Sequence, residues 1–174
     1  MAVNSTVGDA NADSYVDATY VDAYHLAQGN AEWAAGDLTK RDEALRRATT
    51  WLDGQYRKYF TGEKANGRAQ SLEWPRKYAT DADGYDIGSD EIPREIKDSQ
   101  CEAALRELTT PNSLSPDVTA GGTVKREKVG PLEVEYTSGG SVNDSKPVLT
   151  LVDAILGSLL NIQRGSGTVL VKRA

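Results

Sequence analysis

The chain has 174 residues, 39% of them hydrophobic, with 16 glycines, a formal net charge of −6 and a pI of about 4.9. That length suits one domain able to bury a core without metal or disulfide staples, and the low apolar share with many glycines points to a compact core plus generous loop and tail. The acidic balance argues against chain-wide affinity for nucleic-acid phosphates or an anionic membrane; the single cysteine, Cys101, excludes an intramolecular disulfide, and no apolar run reaches the ~18–20 residues that span a bilayer.

Met1 to Ala12 is small and polar, without the basic and apolar segments of a signal peptide. It is expected to be a flexible N-terminus, and the protein to be cytoplasmic. Asp13 or Ser14 can cap a first helix in which Tyr15, Val16, Thr19, Tyr20, Ala23, Tyr24 and Ala27 share a face, stopped by Gly29-Asn30. A short turn follows around Trp33. Asp37 or Thr39 can cap a second helix, with Ala44, Leu45, Ala48, Trp51, Leu52, Tyr56, Tyr59 and Phe60 as its apolar stripe. Gly54 weakens its middle by up to ~1 kcal/mol relative to Ala, a cost that close packing against a neighbour would explain.

Residues 61–91 read as irregular. Leu72-Glu73-Trp74-Pro75-Arg76 is extended, because the residue before a proline is pushed out of the helical region. Pro93 suits the first position of a helix running to about Leu108, with Ile96, Cys101, Ala104, Leu105 and Leu108 inward. Thr123 to Tyr136 is a hairpin pattern, two short runs about Gly130-Pro131. A linker spans 139–146. Val148 to Leu160 forms the most apolar helix, with Val148, Leu151, Val152, Ile155, Leu156 and Leu159 on one face. After a Gly165-Ser166-Gly167 joint, Thr168 to Arg173 is a β-like strip able to join a partner's sheet edge or groove. The predicted fold is mainly α: a small bundle of about four helices over 13–160, with an inserted β-hairpin and an extended C-terminal tail over 161–174.

The residues that could carry chemistry are few. The only histidine, His25, has no nucleophile motif around it and reads as a surface or boundary residue; Cys101 has no basic neighbour in sequence. One histidine and one cysteine do not make a metal site of that type. Asp81 to Asp86 resembles a calcium loop only loosely, with its glycine misplaced and no glutamate at the twelfth position, and an Asp/Gly turn is the simpler reading. No phosphate-binding glycine pattern occurs. We therefore expect no catalytic residues, no metal and no cofactor. Two basic patches remain: Arg41, Arg46, Arg47, Arg57 and Lys58 beside Trp51, Tyr56 and Tyr59, and Lys125, Arg126 and Lys128 in the hairpin. Basic and aromatic residues together can bind single strands by charge and stacking; the plainer reading is a solvated face over core aromatics.

Several segments, in order, resemble a known family. They are Ser14-Tyr15-Val16-Asp17 with Asp22-Ala23-Tyr24; Gly29-Asn30 and Trp33; Glu43 to Thr49 running into Leu52-Asp53; Leu72-Glu73-Trp74-Pro75-Arg76; Ile92-Pro93 with Cys101 to Leu105; and Val124 to Pro131 with Val134-Glu135-Tyr136. They resemble the tailed-phage and prophage proteins often labelled DnaT-like single-stranded DNA-binding proteins, whose layout is similar to phage head-tail connector (adaptor, head-completion) proteins. The layout implies a structural connector: a dodecameric ring beneath the portal protein in the virion, made in the host cytoplasm, extending the channel through which genomic DNA passes and offering a platform to the tail or next connector. The resemblance then places a portal-docking tail at Arg164, Thr168, Val169, Leu170, Val171, Lys172 and Arg173. It places a subunit-interface or channel hairpin at Lys125, Arg126, Lys128, Leu132, Val134 and Tyr136, and candidate DNA-facing residues at Arg46, Arg47, Arg57 and Lys58. The label implies the alternative, a single-stranded DNA-binding protein. The connector is the expected function, from the missing catalytic set, the apolar final helix, the tail and the family-like segments, and the acidic balance counts against the alternative.

Overall fold

The computed structural model describes residues 2–115, 149–160 and, by backbone pairing alone, the strands at 126–129 and 132–135. The predicted tail from 161, with Arg164 and Thr168 to Arg173, lies outside the described residues, as do Lys125, Tyr136, the 139–146 linker and Val148.

The architecture is mainly α. Helix α1 spans Ala18–Gln28, α2 Ala31–Ala35, α3 Leu38–Tyr56, α4 Arg94–Thr109 and α5 Thr150–Leu156. Three two-stranded antiparallel ladders accompany them: β1 (Glu63–Lys64) with β2 (Arg76–Lys77), β3 (Ala79–Thr80) with β4 (Asp86–Ile87), and β5 (Arg126–Val129) with β6 (Leu132–Glu135). The last pair is the expected hairpin about Gly130-Pro131, with Val129 opposite Leu132.

Asp37 caps α3 as expected, accepting from the Thr39 and Lys40 amides at 2.9 and 3.3 Å. Gly29 ends α1 in the left-handed conformation, φ +73°. The start of α1 differs from expectation, since its cap is Asp17, which accepts from the Tyr20 amide at 2.8 Å. Ser14 to Val16 are held extended from outside: the Tyr15 amide donates to Gln100 Oε1 at 2.9 Å and the Gln100 amide donates to Ser14 Oγ at 2.8 Å. The inward face of α1 is also turned. Val21 and His25 are buried, while the Tyr20 and Tyr24 hydroxyls reach Asp98 and Glu102 on α4 at 2.6 and 2.8 Å. The segment around Trp33, expected as a turn, is the short helix α2. Its tryptophan is buried, with Nε1 donating to Asp22 at 2.7 Å.

Helix α3 lies between two hydrophobic clusters and contributes to both. Ala44, Leu45 and Ala48 pack with Val21, Trp33 and Cys101, while Leu52 and Tyr56 pack with Trp74, Ile96 and Leu156. The helix stops at Tyr56, followed by a 3₁₀ turn at Arg57–Tyr59 and an extended Phe60. Gly54 is exposed, with nothing within 4 Å of where a Cβ would sit, so close packing is not its reason. Helix α5 is shorter than expected. Val152, Leu156 and Leu159 are buried but Leu151 is 54% exposed, because α5 packs on α4 along one side only.

The N-terminal segment, expected to be mobile, is tied down as a strap. The Asn4 amide donates to Asp13 Oδ1 at 2.7 Å, Asp13 pairs with Arg46 at 2.6 Å, and Ser71 donates to the carbonyls of Asp9 and Ala12. Its short polar side chains and carbonyls find partners across the fold, which composition does not reveal.

Candidate nucleic-acid interface

The irregular region after α3 is locked by one buried arginine. Arg76, 7% exposed, donates to the Thr61 and Gly62 carbonyls at 2.7 Å each and to Glu73 at 3.1 Å. A second lock joins this region to α3. The Tyr15 hydroxyl donates to Asp53 Oδ1, and the Glu73 amide donates to Asp53 Oδ2 at 3.1 Å. Burial raises the Asp53 carboxyl from its ordinary 3.8 to about 6, against the lowering pull of those hydrogen bonds. The Trp74-Pro75 peptide between the two locks is cis.

Two similar tripeptides flank the segments these locks join, since Thr61 and Gly62, which follow Arg57-Lys58-Tyr59, accept from the Arg76 guanidinium of Arg76-Lys77-Tyr78. Arg57-Lys58-Tyr59 forms the 3₁₀ turn, and Arg76-Lys77-Tyr78 runs through β2. In each, the lysine ammonium stands over the next tyrosine ring, at 4.8 Å in the first and 5.9 Å in the second. The segments meet at Gly62. A Cβ there would collide with the Lys77 carbonyl and lie 2.7 Å from the Ala79 nitrogen, so only glycine fits. Tyr78 itself has φ +57°, which for a side chain of its size costs roughly 1–2 kcal/mol, and it is 80% exposed. From 57 to 80 the chain carries Arg57, Lys58, Lys64, Arg68, Arg76 and Lys77 against only Glu63 and Glu73. Glu73 is taken up by Arg76, and Glu63 pairs with Lys77 at 3.2 Å, with the glutamate 65% exposed and the lysine 41%. Such an exposed pair is worth little and leaves the face basic.

The residues predicted from sequence divide here. Arg57 and Lys58 are exposed, in the 3₁₀ turn that leads into Thr61 and Gly62. Arg46 and Arg47 are engaged elsewhere: Arg46 pairs with Asp13 and donates to the Ala2 carbonyl at 2.9 Å, and Arg47 meets the buried Glu107 at 2.8 Å. In the hairpin, Arg126 lies opposite Glu135 and Lys128 opposite Glu133 in register, while Leu132 and Val134 lie opposite Val129 and Glu127. The two strands therefore carry more acid than base. Sequence reading passed over Lys64, Arg68, Lys77 and Tyr78. The signal that could have found them is the repeated Arg-Lys-Tyr at 57–59 and 76–78.

The groups weighed for catalysis are placed differently from expectation or held inert. His25 is buried rather than at the boundary, with Nδ1 3.1 Å from the Asn30 amide nitrogen and its ring 4.8 Å from that of Trp33. Burial lowers its pKa below the ordinary 6.5. Burial pushes the Cys101 thiol well up. Asp81 Oδ1 accepts from the Asp83 and Tyr85 amides at 2.9 and 2.8 Å, the geometry of an Asx turn. Among the described residues no three His, Cys, Asp or Glu side chains converge as a metal site.

The fold and this face define a small helical domain presenting a basic, aromatic strip on a rigid irregular loop. A family model described as "Putative DnaT-like ssDNA binding protein" matches residues 1–174, and the chain belongs to that family. No curated protein and no solved structure matches it. The family match overturns the expected head-tail connector and favours the alternative, a single-stranded DNA-binding protein. The acidity of the whole chain counts against the alternative only weakly, because screening limits charge effects to about 10 Å in ordinary salt. Over 57–80 six cations stand against two glutamates, and the acidic turn from Asp81 to Asp86 borders that stretch through the pairing of Thr80 with Asp86. The portal partner, the dodecameric ring and the virion setting were implied by the connector role and lose that support with it.

Proposed function

We propose that this chain binds single-stranded DNA along the strip from Arg57 to Tyr78. The observation that carries the reading is the pair of lysine-over-tyrosine units on adjoining segments, set in a locally basic stretch of an acidic chain. Lysines and arginines neutralise phosphates, and an exposed aromatic face such as that of Tyr78 accepts an unpaired base of any sequence. The family description is the second support. The locks at Arg76 and Asp53 hold the strip in place before the strand arrives, which lowers the ordering cost of binding.

Fluorescence anisotropy with labelled oligothymidine tests it. The wild type binds, and binding weakens steeply with salt. The double variant Arg57→Ala, Lys58→Ala binds more weakly, and its log–log salt slope is shallower by about 1.4, corresponding to two lost phosphate contacts. Arg47→Ala instead leaves the slope unchanged and lowers Tm, since it strips Glu107 of its guanidinium partner. Absence of wild-type binding at low salt removes the reading.

A further inference from the structure

We propose that Tyr78 is a stacking platform for one unpaired nucleobase, an inference that rests on the single-stranded DNA reading and assigns its contact residue. The tyrosines of this chain have distinct fates. The hydroxyls of Tyr15, Tyr20, Tyr24 and Tyr56 donate to Asp53, Asp98, Glu102 and Asp153 of the same chain, so their rings are committed to the fold. Tyr59 is half-buried and packs against the core. Among the described residues only Tyr78 and Tyr85 present their rings to solvent, at 80% and 73% exposure.

The charge beside these two differs, although both border the acidic turn, since Thr80, two residues after Tyr78, pairs with Asp86. Tyr85 sits in the turn formed by Asp81, Asp83 and Asp86, where a phosphate would be repelled. Tyr78 follows Lys77, whose ammonium is 5.9 Å from its ring centroid, and lies across Gly62 from the segment carrying Lys58 and Lys64. A base stacked on Tyr78 therefore has cations nearby for its flanking phosphates. The backbone gives an independent argument. Tyr78 links β2 to β3 through a left-handed conformation that glycine adopts without strain, yet the position carries a large, mostly exposed ring with the Lys77 ammonium over it. Strain held at a position whose side chain contributes so little to the core is a mark of function rather than of folding.

The consequence is a variant in which folding and binding move in opposite directions. Tyr78→Gly relieves the left-handed strain, so its Tm equals or exceeds that of the wild type, while its affinity for oligothymidine falls about 5- to 100-fold with the salt slope unchanged. Tyr78→Phe, which keeps the ring face, binds within about twofold of the wild type. Tyr85→Ala does the same. If Tyr78→Gly binds as the wild type does while Arg57→Ala, Lys58→Ala binds more weakly, the platform is overturned and the interface reading stands. If the wild type itself does not bind, both fall.

Discussion

The side-chain amide of Gln100, fully buried on α4, joins three segments. Its nitrogen donates to Ser14 Oγ at 2.8 Å and Thr49 Oγ1 at 2.7 Å, and its oxygen accepts from the Tyr15 amide. Both hydroxyls donate onward, Ser14 to the Val16 carbonyl and Thr49 to the Leu45 carbonyl, so the orientation of the amide is fixed by the direction of every bond around it. Asp53, one turn beyond Thr49 on α3, does similar work with a titratable group. Its carboxyl is raised to about 6 in the folded chain from an ordinary 3.8, chiefly by burial. The folded state therefore holds this proton more tightly than the unfolded state does. The stabilisation is fully present below pH ~4 and is lost as the pH rises through about 6. Asp53→Asn should flatten the Tm profile between pH 4 and 6 relative to the wild type, as measured by calorimetry at matched ionic strength. Neither role was legible from sequence. Gln100 and Asp53 are ordinary helical residues there, and their partners lie tens of residues away.

The helices were legible where local chemistry decides their ends. Asp37 and Gly29 act at the positions where an Asp before an apolar stripe and a Gly after one should act. The start of α1 was misread because Ser14 and Tyr15 are good local candidates whose backbone is claimed by a distant glutamine. A helix face was misread for the same kind of reason: α1 shows its tyrosines at the flank because α4 supplies carboxylates there. Gly54 yields a direct prediction at this scale. It lies in the helical interior of α3 with open space where a Cβ would point. Gly54→Ala should raise stability by about 0.5–1 kcal/mol in urea unfolding, because it narrows the unfolded ensemble without a clash. A loss of stability would mean that a neighbour occupies that space.

Across the whole molecule the important quantity is where the charge sits. A net charge of −6 describes the chain, while the Arg57–Tyr78 strip is basic and its two glutamates are paired with its own cations. The exposed or half-buried cations available to phosphates there are Arg57, Lys58, Lys64, Arg68 and Lys77. The log–log salt slope for oligothymidine binding by the wild type should then be no steeper than about −3.5, the value for five single-strand contacts. A steeper slope would place further contacts outside the strip.

The sequence by itself determined the mainly α class, most helix positions and the hairpin strands at 126–129 and 132–135, because caps, periodicity and turn residues act over a few positions. It also contained the repeated Arg-Lys-Tyr. Only the tertiary structure decided which arginines are free to meet a ligand. Arg46, Arg47 and Arg76 are bound by Asp13, Glu107 and the 61–62 carbonyls, while Arg57 has no ion-pair partner among the described residues. It also decided that the segment following the first tripeptide lies against the second, with Gly62 set close to the Lys77 carbonyl and the Ala79 nitrogen. Such pairings are long-range, and a linear pattern does not encode which partner a charged side chain will find.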